Sequence, residues 1–348
     1  MRGVVLHGER DVRVDEVDDA VVPGPDGLLL RVERTAICGS DLHLYHGGLL
    51  GTPGVHLGHE FIGTVEDLGG EVHSVRKGDR VLVSGVIGCG RCESCRAGDP
   101  ILCRTTMPTA FGTSLALHGG QAEAVGVPAA DASVLRIPDE ITDEQAVLLT
   151  DILPTGFLGA RRADIEPGDT VVVIGLGPVG VFALQCAQLY GPARILAVDM
   201  VPDRLARAAQ LGAEPIDATG GNTVSAVLEA TGGRGADAVI EAVGADQSIS
   251  DAIFCAAAGA TVSVIGVSTN LALPLPMPIL LFKKLTLRST YASIPSTWPH
   301  LVPLVASGRL HPEEVFTHRL GLSEAPEAYR IFDAREDGVL KVLLDPTR

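Results

Sequence analysis

Four of the chain's seven cysteines fall in one stretch, "GCGRCESCRAGDPILC" (88–103), at Cys89, Cys92, Cys95 and Cys103. The spacing is C-x2-C-x2-C-x7-C. Four thiolates held so close can enclose one tetrahedral zinc ion, and a closed set of sulfurs leaves no position for water or substrate. The expected role is therefore structural, with four unrelated thiols as the plain alternative. A nucleic-acid zinc ribbon would need two knuckles split by a long spacer, which this loop lacks.

A second set of donors lies upstream in "AICGSDLHLYHGG" (36–48) and "VHLGHEFIG" (55–63). A catalytic zinc takes three protein ligands of mixed type and keeps one exchangeable position. Cys38 and His59 can supply two ligands, and the residue types leave the third open. A lone cysteine and a lone histidine are as often core or surface residues. Ser40, Asp41 and His43 crowd around Cys38, however, and a metal site needs such polar support. Seven further histidines, His46, His56, His73, His118, His300, His311 and His318, sit in turn-like or polar contexts and read as solvated or hydrogen-bonded residues.

A third chemistry is written in "TVVVIGLGPVGVFALQCAQLYGPARILAVD" (170–199). A β-branched run (170–174) leads into G-x-G-x-x-G at Gly175, Gly177 and Gly180, and a helical run (179–190) follows. A second strand, "RILAVD", ends at Asp199. The glycine pattern alone is weak; between a strand and a helix, with an acid some twenty residues on, it reads as a dinucleotide site. Gly175 allows the turn, Gly177 admits the pyrophosphate, and Gly180 lets helix and strand pack. Asp199 is placed for the ribose 2′-hydroxyl, which points to NAD.

The elements that must hold these residues follow from pattern. Further strands are expected in "ADAVIEAVG" (236–244) and "ATVSVIGVS" (260–268), with a helix over "DQSISDAIFCAAA" (246–258). Alternating strands and helices imply a doubly wound parallel sheet. Cys186 and Cys255 fall inside these elements as small buried hydrophobes. The length of 348 residues suits two domains, and 46% hydrophobic residues can fill their cores. A net charge of −16 disfavours nucleic-acid binding. Two uncharged stretches, 170–193 and 252–282, could pass for membrane spans. The first is broken by "GLGPVG" and the second by the prolines of "LPLPMP", and buried parallel strands read the same way. No membrane association is expected. The N-terminus lacks a secretory core, which points to the cytoplasm.

Together these motifs resemble the zinc-dependent medium-chain alcohol dehydrogenase family over essentially the whole chain. The resemblance rests on "CGSDLH" (38–43), "GHE" (58–60), the four-cysteine lobe, "TDILPTG" (150–156), "GLGPVG" and "HRLGLSEAPEAYRIFDAREDGVLKVLL" (318–344). It implies an α/β architecture. A GroES-like, mainly-β catalytic domain would span 1–152 and 289–348, with the structural zinc lobe at 88–104. A Rossmann NAD-binding domain would span 153–288, and the active site would lie in the cleft between the two.

The resemblance places the catalytic zinc on Cys38, His59 and Asp151. An aspartate in that third position, followed by "ILPTG", resembles bacterial secondary-alcohol and glutathione-independent formaldehyde dehydrogenases. Ser40 and His43 match a proton relay. Asp41 matches a carboxylate on the histidine ligand, and Glu60 a glutamate that approaches the metal. Cofactor contacts fall on Thr155, Gly175, Gly177, Pro178, Val179, Gly180, Asp199, Arg204, Gly266 and Lys341.

The implied function is hydride transfer between NAD(H) and an alcohol or the matching aldehyde or ketone. Two zinc ions per chain and a homo-oligomer, dimer or tetramer, are expected with it. The alternatives are a formaldehyde- or polyol-oxidising member of the family, and a zinc- and NAD-binding protein without turnover. Pocket walls are expected from 104–120 and 289–298.

Overall fold

The computed structural model describes residues 1–47, 51–291 and 293–348. The chain forms two compact units, Met1–Pro154 with Ala292–Arg348, and Thr155–Tyr291. Among the described residues no helix is long and apolar enough to cross a membrane.

The first unit is built on a seven-stranded mixed sheet of GroES-like type. Its order is Phe316–Gly321, Lys341–Asp345, Leu28–Ile37, Glu60–Leu68, Arg80–Val83, Val134–Arg136, and Ala124–Val127 also pairs with Leu28–Ile37. Leu28–Ile37 begins as an alternating strand, with Leu28, Leu30 and Val32 buried and Arg31 exposed, the pattern of a sheet with one covered face. Two apolar clusters pack on the sheet. One gathers Leu28, Leu30, Phe61, Val65 and Phe111. The other gathers Ile37, Leu57, Tyr329, Phe332 and Val342. The Phe61 and Phe111 rings meet edge to face at 5.0 Å, worth about 0.5–1.5 kcal/mol beyond their burial. Gly63 is required here: a Cβ would lie 1.9 Å from the Arg31 carbonyl oxygen on the paired strand.

The second unit is a six-stranded parallel sheet of Rossmann type. From edge to edge its strands are Glu214–Asp217, Arg194–Asp199, Thr170–Ile174, Ala236–Glu241, Ala256–Val264 and Thr286–Ser289. The chain order is thus third, second, first, fourth, fifth, sixth, the doubly wound arrangement with its reversal beside the first strand. Thr170–Ile174 is buried along its whole length, as expected where both faces are covered.

Boundaries differ from the sequence reading in two places. The helix after the fourth strand stops at Cys255, and the next strand already begins at Ala256. The reason is Lys283, whose Nζ donates to the carbonyls of Phe254 and Ala256 at 2.8 and 2.7 Å. It thereby satisfies acceptors that a longer helix would have used itself. The glycine-rich helix runs Pro178–Gln188, with proline in the first turn, where its missing N–H costs nothing.

Candidate active site

Cys38 ends the strand Leu28–Ile37 and precedes a short helix, Asp41–Tyr45. Asp41 is fully buried. Its Oδ2 accepts the Cys38 amide at 3.0 Å, which fixes the turn that carries the thiol. Gly58 then allows the next turn. Its φ is +101°, and a Cβ there would fall 2.5 Å from Gln121 Cγ. That turn delivers His59 and Glu60 to the head of the strand Glu60–Leu68. Asp151 enters from the chain just before the helix Ile152–Arg162.

Together these segments bring Cys38, His59, Glu60 and Asp151 into one group, with a ligand atom of each within 4.8 Å of the others. Asp151 Oδ2 lies 3.5 Å from Cys38 Sγ and 3.5 Å from His59 Nε2. A tetrahedral ion with arms of about 2.0–2.3 Å asks for ligand separations of about 3.5 Å. Ser40 Oγ sits on the same atoms, 3.2 Å from Cys38 Sγ and 3.1 Å from His59 Nε2. Asp41 Oδ1 is 3.1 Å from His59 Nδ1, close enough for an ionic contact though not aligned as a hydrogen bond. It leaves Nε2 as the nitrogen turned to the group.

The electrostatics also suit a cation. Burial raises the Cys38 thiol pKa, and the Glu60 carboxylate raises it further. Burial likewise raises Glu60, although Lys341 pulls it down. Burial opposes a charged His59, but Asp41 and Cys38 outweigh it and hold the imidazole well above its ordinary value. Glu60 Oε2 is buried without a hydrogen-bond partner. Soft, nitrogen and oxygen donors around an under-compensated negative centre fit zinc.

Lys341, expected at the cofactor, also has partners inside the first unit. It is fully buried in the first unit, and its Nζ donates to Glu60 Oε1 at 2.7 Å and to the Ile37 carbonyl at 2.8 Å. The strand Lys341–Asp345 lies beside Leu28–Ile37 and so points this ammonium into the interior. His43 is exposed, yet partial desolvation and then His46 lower its pKa. Among the described residues its amide donates to the Ser40 carbonyl at 3.1 Å, and no side-chain bond joins the two.

The four cysteines of the lobe also converge, each Sγ within 4.8 Å of the others. Cys89 and Cys95 are 3.9 Å apart, Cys92 and Cys103 4.0 Å, and all are free thiols. These are near the edges of a tetrahedron about a zinc ion with ~2.3 Å bonds. The Thr106 hydroxyl and amide lower Cys103 to about 5, whereas burial pushes Cys95 up to about 12.

In the second unit the three glycines do three jobs. Gly175 has φ +87°, and a Cβ would strike Val243 at 2.4 Å. Gly180 would collide with the Gly175 carbonyl at 1.8 Å. Among the described residues a Cβ on Gly177 would meet only Arg204 Nη1 within 4 Å, at 3.9 Å, so its face is open. Pro178 and Val179 begin the helix, and the free amides of a helix N-terminus suit an anion. Asp199 Oδ2 accepts the Leu176 amide at 2.6 Å, and Oδ1 accepts those of Met200 and Val201 at 2.7 and 2.9 Å. Arg204 lies 3.7 Å from the same carboxylate. Thr155 stands in the first turn of Ile152–Arg162. Gly266 lets the chain pass Gly244, whose nitrogen a Cβ would meet at 2.1 Å.

Three residues without a sequence signal join these sites. Gln121 and Tyr329 are fully buried and hydrogen-bonded at 2.9 Å, and Gln121 Nε2 reaches Asp41 Oδ2 at 3.4 Å. Glu241 Oε1 accepts the Val243 and Gly244 amides and the Ser248 hydroxyl, fixing the loop that touches Gly175. Of the expected pocket walls, Met107 and Leu115 are exposed, and Trp298 is buried with its Nε1 on the Leu149 carbonyl. Ala292 lies outside the described residues.

Comparison with known proteins matches residues 24–139 to the alcohol dehydrogenase GroES-like domain and 178–307 to the zinc-binding dehydrogenase family. A Mycobacterium tuberculosis protein assigned as a zinc-binding alcohol dehydrogenase is 48% identical over 99% of this chain and 89% of its own. The alcohol dehydrogenase TADH from Thermus sp. ATN1 superposes with a TM-score of 0.92 at 40% identity, covering 99% of each chain. A Sinorhizobium meliloti 1021 protein assigned as a zinc-binding dehydrogenase, solved with NADP bound, superposes at 0.87 with 31% identity, again over 99% of each.

Proposed function

The chain belongs to the zinc-dependent alcohol dehydrogenase family and is an oxidoreductase of the hydride-transferring kind; from there we propose that it interconverts a moderately sized, largely apolar alcohol with its aldehyde or ketone, using NAD. The observation that carries this reading is the convergence of Cys38 Sγ, His59 Nε2 and Asp151 Oδ2 with Ser40 Oγ on top of them. Those three residues would hold the catalytic zinc, and the four cysteines of the lobe a structural one. Bound zinc supplies Lewis acidity to the substrate oxygen, and NAD supplies the hydride acceptor. Ser40 Oγ takes the hydroxyl proton. His43, whose pKa is lowered by partial desolvation and then by His46, is the base beyond it. Asp41 holds the His59 ring, and Glu60 Oε2 stands in reserve as a further acceptor. The unit Met1–Pro154 with Ala292–Arg348 is the catalytic domain in this reading, and Thr155–Tyr291 binds the dinucleotide.

The test is a panel of primary, secondary, aromatic and polyol substrates, scored by NADH and NADPH formation, on wild type and Asp151→Ala. Oxidation of apolar alcohols is expected in the wild type. The variant should lose it by three orders of magnitude or more (~10³) while NADH fluorescence titration is unchanged. Turnover of polyols alone would move the protein to that branch. Full turnover by a zinc-depleted Asp151→Ala protein would remove the ligand assignment.

A further inference from the structure

We propose that Tyr329 and Gln121 are positioning residues for the metal-binding histidine, acting through Asp41. The inference rests on the reading of Cys38, His59 and Asp151 as a zinc site. It starts from a continuous line of buried polar atoms. Tyr329 Oη donates to Gln121 Oε1 at 2.9 Å. Gln121 Nε2 donates to the Ala36 carbonyl at 3.2 Å and to Asp41 Oδ2 at 3.4 Å. Asp41 Oδ2 also accepts the Cys38 amide, and Oδ1 faces His59 Nδ1 at 3.1 Å. Tyr329, Gln121 and Asp41 are each 0% exposed, so no water competes for these bonds.

The directions of the bonds matter. An amide has one oxygen and one NH2 end, and its two faces are otherwise alike in shape. The tyrosine hydroxyl claims the oxygen end of Gln121, and this turns the NH2 end toward the Asp41 carboxylate. Without the hydroxyl, the oxygen end of the amide is left unpaired in the interior, and only the Ala36 carbonyl and the long 3.4 Å contact to Asp41 hold its orientation. Asp41 would then lose its grip on the His59 ring, and the Nε2 lone pair would wander from the ligand position. Gln121 also braces the chain just before His59, since its Cγ lies 2.5 Å from where a Gly58 Cβ would be. Tyr329 itself is anchored on the helix Ala325–Ala334, its ring 5.6 Å from that of Tyr45. Outer partners of this kind commonly set metal affinity by about 10–100-fold.

The experiment uses the zinc-loaded protein and follows zinc release to a chelator, with a colorimetric indicator. Wild type should carry two zinc ions, one slowly and one rapidly released. The cysteine-lobe ion serves as an internal control in every variant. Tyr329→Phe keeps the ring and should speed release of one ion about tenfold, with the other unchanged. Gln121→Met should do so at least as strongly. The double variant should fall short of the product of the two single effects, because the tyrosine and the glutamine act on the same Asp41 carboxylate, the tyrosine through Gln121 and by its own proximity to Asp41. Unchanged release in both single variants overturns the inference and leaves the zinc reading standing. Equal loss of both ions, or additive losses in the double variant, assigns the pair a general structural role and also overturns it. A wild type with only the cysteine-bound ion removes the zinc reading and the inference together.

Discussion

Asp199 is clamped by three backbone amides, so its carboxylate cannot swing aside for a second anion. A 2′-phosphate would meet it at close range, and like charges there cost several kcal/mol. Arg204, 3.7 Å away, offsets part of this. NAD should therefore be preferred over NADP by about a hundredfold in kcat/KM. Asp199→Gly should weaken NAD and narrow or reverse the gap. Steady-state kinetics with both cofactors decide it, and a wild type that favours NADP would show that another residue discriminates. Residues of this kind were legible because their types and spacing are local. Cys38, His59 and Asp151 each sit in a short motif, and Asp199 ends a strand at a fixed distance from Gly175. Gln121, Tyr329 and Glu241 were not legible. Tyr329 lies on the apolar face of an amphipathic helix and looks like any core aromatic. The Lys341–Glu60 bond was hidden for the same reason: a strand pairing across some three hundred residues brings the two together.

The lobe 88–104 has little structure of its own beyond the short helices Glu93–Arg96 and Pro100–Leu102. In the reading proposed above, a zinc ion on its four cysteines would complete its order, since metal binding contributes folding free energy. Cys95→Ser removes the buried thiol, and metal analysis should fall from about two zinc ions per chain to about one. The thermal midpoint should drop with it, while NADH still binds. Unchanged stability with two ions would contradict the role. In the other unit, Asp237 ties the start of Thr170–Ile174, accepting the Thr170 amide at 2.9 Å and pairing with Arg234. Arg234 holds its carboxyl below the ordinary 3.8, against the effect of burial, and the Thr170 amide adds to this. A depressed carboxylate stabilises the fold at pH above its unfolded value and loses that as pH falls through the folded one. The gap in thermal midpoint between wild type and Asp237→Asn should be constant above about pH 5 and shrink below about pH 4; a constant gap down to pH 3 would refute it. The central strands of this unit were readable as β-branched runs. The edge strand Glu214–Asp217 was not, since it carries Pro215 and exposed charges, the usual guise of an edge.

At the scale of the whole molecule, exposed apolar side chains stand out on a chain of net charge −16. Leu271, Leu281 and Phe282 are 98%, 70% and 86% exposed, and the helix Met277–Lys283 buries no side chain. Beside it, the strand Thr286–Ser289 has only one paired edge. Exposure of this extent marks an interaction surface, and self-association is the proposed use. Phe282→Lys should shift the protein toward monomer in light scattering after size exclusion, without changing the far-ultraviolet spectrum. An unaltered oligomer would place the interface elsewhere. The path of the chain carries a different consequence. Thr155–Tyr291 is continuous, so a nascent chain can close that unit as it leaves the ribosome. The other unit must wait: Leu28–Ile37 has Glu60–Leu68 and Ala124–Val127 early, but it lacks its remaining neighbour, and Glu60 its ammonium, until Lys341–Asp345 has been synthesised. A nonsense codon soon after Tyr291 would thus yield a product that grips the dinucleotide and has no chemistry to give it.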